Sequence, residues 1–306
     1  MDSILDGLIT EQPNDKTSAI DQLNSAEIMA LINDEDRLVA GVITELIPQI
    51  AAAADRIVEA FRSGGRLFYV GAGTSGRIGI LDASECPPTY GTDPDMVQGL
   101  IAGGFQAVKD PVEGAEDSEE LGAADLEAAG VNAGDVVIGI AASGRTPYVL
   151  GAMKRAGELG AAVFGICNNH GTPMSQTGFP VIEAVVGPEV VMGSTRMKSG
   201  TAQKLILNML TTTAMIRIGK VYRNLMVDLN PSNKKLVHRA KRIIALATEA
   251  SAAEIEEAYR ESEGQVKTAI VMLLAGVSAA EAHRRLSASG GFVHGATTAA
   301  KPGRPI

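Results

Sequence analysis

The feature that most constrains the fold is a pair of short apolar runs that each feed straight into a turn of glycines, hydroxyls and one arginine. RLFYV (66–70) enters GAGTSGR (71–77), and DVVIGIA (135–141) enters ASGRTPY (142–148). The second run is apolar at consecutive positions, hence on both faces, as a strand in the middle of a parallel sheet must be. Parallel neighbours need crossover connections, and the intervening segments carry helical patterns. Further strands are expected near Met96 to Ala102, at AAVFGIC (161–167) and at FPVIEAV (179–185). Helices are expected at about 117–130, from Val149 to Leu159 and from about Thr195 to Ile218. Strand and helix in alternation predict an α/β protein with a doubly wound parallel sheet.

The flanks read differently. Residues 1–50 are expected to form an N-terminal helical arm, with one short helix near Ser25 to Asn33, while a second, interrupted or kinked by Pro48, runs from Leu38 to Phe61. The sheet domain is expected over 51–230. After Asn230-Pro231-Ser232 a helix over 232–248 is followed by two capping boxes, Ser251 to Glu254 and Ser278 to Glu281. These predict a C-terminal helical module over 231–300, with a small three-helix unit at about 248–290, and a disordered tail at 301–306. Pro87-Pro88 is expected to break the helix that follows the first glycine turn.

Composition narrows the function. A net charge of −9, from 27 basic and 36 acidic residues, argues against a nucleic-acid surface. Aromatic residues are 4% of the chain and Trp is absent, which removes base-stacking platforms. Cys86 and Cys167 imply no disulfide framework and read as packing residues of a reducing compartment. The N-terminus has acids where a secretory signal needs bases, and no run reaches the roughly 18 to 20 apolar residues of a membrane span, so a cytoplasmic protein with no membrane partner is expected.

Residues 71–76 spell G-x-G-x-x-G after a strand, a dinucleotide signature that is weak alone. That fold wants an acid at the end of the next strand, where this chain has Ala102-Gly103-Gly104. The two turns instead share a design suited to a phosphate: hydroxyls and backbone N–H groups at helix N-termini, with no bulk to hold an anion away. Thr74, Ser75, Ser143 and Thr146 are the candidate donors, and Arg77, Arg145, Arg196 and Lys198 the candidate charges. The plainer alternative is that the hydroxyls only cap helices. The four histidines, His170, His238, His283 and His294, show no metal-ligand spacing, so neither metal nor cofactor is expected.

Two acidic segments are candidates for proton transfer. LDASECPPTYG (81–91) holds Glu85, and VEGAEDSEE (112–120) holds Glu116 near the start of a helix. A carboxylate at a helix N-terminus is favoured as the anion, as a base requires, whereas one packed under prolines can be kept neutral, as an acid requires. Alternatively Glu116 is an N-cap and Glu85 a solvated helix-end residue.

The two turns resemble those of the sugar isomerase (SIS) family, although Ala141 stands where many members begin the second turn with an extra serine. GAGTSGRIGILDASECPPTYG, VEGAEDS, GIAASGRTPY and GSTRMKSGTAQKLILNML together resemble the N-acetylmuramic acid 6-phosphate etherase family, and the likeness covers nearly the whole chain. The resemblance implies an αβα sandwich, a phosphosugar ligand and a homodimer. It also implies a lyase that cleaves the D-lactyl ether at C3, with Glu85 as proton donor and Glu116 as the second member of the pair. Two rivals stay open, an aldose–ketose isomerase and a non-catalytic phosphosugar sensor. The absence of Asp and Glu from Gly193 to Val227 weighs against the isomerase, whose family members often carry a catalytic Glu there.

Overall fold

The structure is a computed structural model that describes residues 7–229, 231 and 233–298. The tail at 301–306 and two members of the Asn230-Pro231-Ser232 junction lie outside the described residues. Two compact units divide the chain, Met1–Ser84 with Pro94–Thr211, and Glu85–Asp93 with Thr212–Ile306. These differ from the sequence-based division: the N-terminal segment belongs with the sheet, and the second unit takes in Glu85–Asp93 as well as the chain from Thr212 onward.

The first unit opens with α1, Ser25–Arg62, one helix of 38 residues where two were expected. It starts at a capping box: the Asn24 side chain accepts from the N–H groups of Ala26 and Glu27, and the Glu27 carboxylate accepts from the Asn24 N–H. Nothing between Asn33 and Leu38 breaks it. Pro48 withholds the N–H that would reach Thr44, but both residues are exposed, so the freed carbonyl is open to solvent. Val39, Ile43, Ile50, Ile57 and Phe61 recur at helical spacing and are buried. Contrary to the sequence reading, α1 is long and apolar enough to cross a membrane by length and composition, with a mean hydropathy of 1.4 over its most apolar window. Its one-sided burial is that of a helix packed on a core.

The sheet follows in alternation with helices: β1 (Leu67–Gly71), α2 (Gly73–Tyr90), β2 (Val97–Ile101), α3 (Gln106–Lys109), α4 (Glu119–Ala128), β3 (Val136–Ile140), α5 (Pro147–Glu158), β4 (Ala162–Cys167), β5 (Val181–Glu183) and α6 (Lys198–Arg217). All five strands are parallel, in the order β2-β1-β3-β4-β5. Every residue of β1 and β3 is buried, as expected of central strands. The order reverses between β1 and β3, the switch point where open α/β sheets hold ligands beyond their carboxyl ends. α2 runs through Pro87 and Pro88, which the sequence reading took as a break. A proline's fixed φ suits a helix, and Gly91 N–H donates to the Pro87 carbonyl (2.9 Å), closing the last turn around them.

At the opposite end of the strands, the buried Asp135 carboxylate accepts from the Arg66 backbone (2.8 Å), from the Arg66 guanidinium (2.8 Å) and from Asn132 N–H (3.0 Å). It ties the lead-in of β1 to that of β3.

The second unit contains a small antiparallel pair, β6 (Val221–Tyr222) and β7 (Leu225–Met226), and the helices α7 (Lys234–Thr248), α8 (Ala252–Glu261), α9 (Val266–Ala275), α10 (Ala279–Ala288) and α11 (Val293–Thr298). The helices α8, α9 and α10 are the three expected, and α11 adds a fourth. Ile244, Ala269, Ile270 and Ala282 are fully buried among them. Ser251 and Glu254 form both halves of a capping box, whereas Glu281 turns instead to Arg284 and Arg285.

Replacing Asp135 by Ala strands the partly buried Arg66 guanidinium and two N–H groups. The Asp135→Ala variant is expected to lose about 3 kcal/mol of unfolding free energy, read by urea denaturation of the sheet unit's signal.

Candidate active site

β1 ends at Gly71 and the chain turns at once into α2. A Cβ on Gly71 would lie 2.6 Å from the Gly76 nitrogen, so the turn closes by an approach of backbone to backbone that a side chain would forbid. Thr74 and Ser75 of this turn line a cavity of about 430 Å³ together with Ser143, Arg145 and Thr146 of the turn after β3. Glu116 and Asp117, in the 3-10 turn Ala115–Asp117, line it too, as do Thr10 and Glu11 from the N-terminal segment and Thr195 before α6. The lining is drawn entirely from the first unit, and the volume lies within the ~300–1,000 Å³ of ligand pockets.

The hydroxyls of the second turn are not consumed as helix caps. Thr146 occupies the N-cap of α5 without a side-chain cap bond, Pro147 follows at the first helical position, and Ser143 Oγ only accepts from the Arg145 N–H (3.3 Å). Among the described residues no carboxylate pairs with Arg145. An unneutralised guanidinium, two free hydroxyls and the positive end of a helix therefore meet at one wall. Glu116 is exposed and is not an N-cap either: Ser118 caps α4, its Oγ accepting from Leu121 N–H (3.1 Å). A second cavity of about 340 Å³ shares Ala72, Gly73, Thr74 and Glu116 with the first and is completed by Arg77, Val112 and Glu113 among others.

Residues 49–157 match the glucokinase regulatory protein N-terminal SIS domain family, and residues 108–213 the SIS domain family. The chain is 57% identical to the N-acetylmuramic acid 6-phosphate etherase of Photorhabdus laumondii over 94% of its own length and 96% of that protein. It is 56% identical to the etherase of Aeromonas hydrophila over 94% of this chain and 97% of that one. The chain belongs to the N-acetylmuramic acid 6-phosphate etherase family. Among solved structures, a phosphoheptose isomerase from Neisseria gonorrhoeae is similar over 61% of this chain and 97% of that one, at 16% identity and a TM-score of 0.44.

Of the other candidates of this etherase-family chain, Arg77 lines the second cavity, and Lys198, Arg196 and Glu85 line neither. Lys198 is 1% exposed, and its ammonium pairs with Glu35 (2.5 Å), which also takes Lys16 (2.8 Å) and Asn14 (3.1 Å). Burial raises the Glu35 pKa, but the two lysines and the asparagine outweigh it and hold the carboxyl at about 2. Lys198 is thus engaged with the Glu35 carboxylate and is absent from the cavity wall. The Arg77 guanidinium donates to the carbonyls of Ala107 and Val108. Arg196 is exposed and outside both linings, Glu85 is exposed on the part of α2 that belongs to the second unit, and His238 is exposed on α7. Ser75 donates to Gln203 (2.9 Å), which donates to Asn168 (2.9 Å), so its hydroxyl is a link in a buried chain. Both cysteines are buried, and burial pushes the Cys167 thiol up, as befits packing residues.

Sequence reasoning missed Thr10, Glu11, Asn169 and Gln203. Thr10 N–H donates to the Asn169 side chain (3.2 Å), whose amide returns a bond to Thr10 Oγ1 (3.0 Å) across a separation of 159 residues. No local pattern announces such a pair.

The depressed carboxyl of Glu35 contributes stability that is complete above the ordinary carboxylate range and is lost as pH falls through that range toward the folded value. Between about pH 5 and about pH 2, wild type should therefore lose more stability than Glu35→Gln, which starts about 3 kcal/mol lower with Lys198 buried unpaired. Parallel denaturation curves at each pH read the difference.

Proposed function

We propose that this chain cleaves the D-lactyl ether at C3 of N-acetylmuramic acid 6-phosphate, yielding N-acetylglucosamine 6-phosphate and D-lactate. The observation that supports this reading is the shared cavity, lined by Arg145, Ser143 and Thr146 at the α5 N-terminus, groups suited to a phosphate, and by Glu116. Near-full-length relatives bearing the etherase name support the same reading.

The chemistry needs two carboxyl groups. Opening the sugar ring exposes an aldehyde that acidifies the C2 proton. A carboxylate takes that proton while an acid protonates the departing lactate oxygen, and the C3–O bond breaks to leave a C2–C3 double bond. Water then adds across it, its oxygen to C3 and a proton to C2, restoring the saturated sugar. Glu85 is the proton donor by family resemblance, and Glu116, placed in the cavity, is its partner in the pair. The phosphate lies far from the reacting carbons and serves to orient them. No metal or nicotinamide enters this scheme.

The active form we assign is a cytoplasmic homodimer. Leu81 and Met209, each adjacent in the chain to a member of the bonded pair Asp82 and Asn208, are exposed apolar side chains that a second copy would cover. Light scattering of the purified protein tests this assignment.

Incubation with N-acetylmuramic acid 6-phosphate should release D-lactate. Tight binding with unchanged sugar would instead make the chain a sensor. Glu85→Gln and Glu116→Gln should each lower turnover about 10²- to 10⁴-fold with the fold intact by circular dichroism. Arg145→Ala should weaken binding of the phosphorylated product about 10- to 100-fold, measured by calorimetry.

A further inference from the structure

Arg77 sits one turn into α2, and its side chain reaches away from the first cavity to a segment that contains α3. Its Nε donates to the Val108 carbonyl (2.9 Å) and its Nη2 to the Ala107 carbonyl (2.8 Å). These carbonyls belong to the end of a four-residue helix, where no helical donor is due. The residue four beyond Ala107 is Pro111, which has no N–H to give. The guanidinium supplies the missing donors in a fixed fork.

The segment so held is the one that carries Glu116. It leaves β2 through Gly103 and Gly104, both at positive φ (85° and 68°), and re-enters the fold through Gly114 (73°), immediately before the turn with Glu116. Between these swivel points Phe105 is 87% exposed. Arg77 therefore fastens the middle of a segment bounded by glycines to α2, the helix that begins in the Thr74–Ser75 turn.

We infer that Arg77 is a positioning residue for Glu116: it locks the 103–118 segment so that this carboxylate keeps a fixed place relative to the phosphate-binding turns. Its catalytic consequence rests on the lyase reaction proposed above, whereas the clamp itself does not. The variants Arg77→Met and Arg77→Lys, made in the full chain, test both parts. Amide hydrogen exchange over 103–117 should quicken about tenfold or more in Arg77→Met, with the rest of the sheet unit unchanged. D-lactate release should fall about a hundredfold in turnover while KM for N-acetylmuramic acid 6-phosphate moves less than about threefold. Arg77→Lys, whose ammonium lacks the fork, should recover only part of the turnover. Unchanged exchange in that segment overturns the clamp, and a raised KM with turnover retained assigns Arg77 to the substrate's phosphate instead. Should Arg77→Met fail to fold, Arg77→Lys is compared with wild type by the same readouts. Absence of lactate release from wild type would defeat the proposed reaction, and the exchange data would still decide the clamp.

Discussion

The parallel pairing of β1 with β3 is the constraint on which the site depends. Gly71 stands opposite Ile140, so the two strands end level and their turns begin side by side. Because the chain leaves β1 toward β2 on one side and leaves β3 toward β4 on the other, the two connections diverge from the gap between these turns. Both turns then open helices, α2 and α5, whose positive ends reinforce one another at the same place. Asp135 holds the other ends of the same two strands, so the level start of the turns is enforced from below.

Charge around this gap is distributed unevenly. Of the four candidate cations, Lys198 is matched by Glu35 and Arg77 by two carbonyls, while Arg196 faces solvent. Arg145 alone of the four lines the cavity beside the hydroxyls. A buried ammonium without Glu35 would be costly, and Glu35 without Lys16 and Lys198 equally so, which makes the cluster a structural unit at the start of α6. The fully buried Glu189 completes it by accepting from Lys198 N–H and from Ser199. The cavity wall thus offers one guanidinium, hydroxyls and helix ends on one side, with Glu11, Glu116 and Asp117 elsewhere.

Polar side chains inside the unit transmit this arrangement to α6, a helix that carries no acid. Ser75, Gln203 and Asn168 form a continuous chain from the first turn to the end of β4, where Asn168 donates to the Ala184 carbonyl. One turn of α6 further on, Asn208 donates to Asp82 of α2, which also accepts from Tyr69 of β1. Burial raises the Asp82 carboxyl and outweighs the donors that surround it. Each member satisfies another, so a change at any one leaves a buried group without its bond.

The parts decided by short-range chemistry were legible in the amino-acid order. Apolar runs without alternation marked β1 and β3, glycine and hydroxyl turns marked the candidate donors Thr74, Ser75, Ser143 and Thr146, and Ser-Ala-Ala-Glu marked the starts of α8 and α10. Even there, the continuity of α1 between Asn33 and Leu38 and of α2 through Pro87 and Pro88 escaped it, since neither a polar stretch nor a proline ends a helix by itself. Only the tertiary structure decided which cations stay unpaired, that Thr10 and Glu11 join the cavity wall, and that Arg77 grips the segment before Glu116. Those outcomes turn on contacts between residues far apart in the chain, and a side chain's ionic or hydrogen-bonding partner is set by which strands lie adjacent, a property no local window contains.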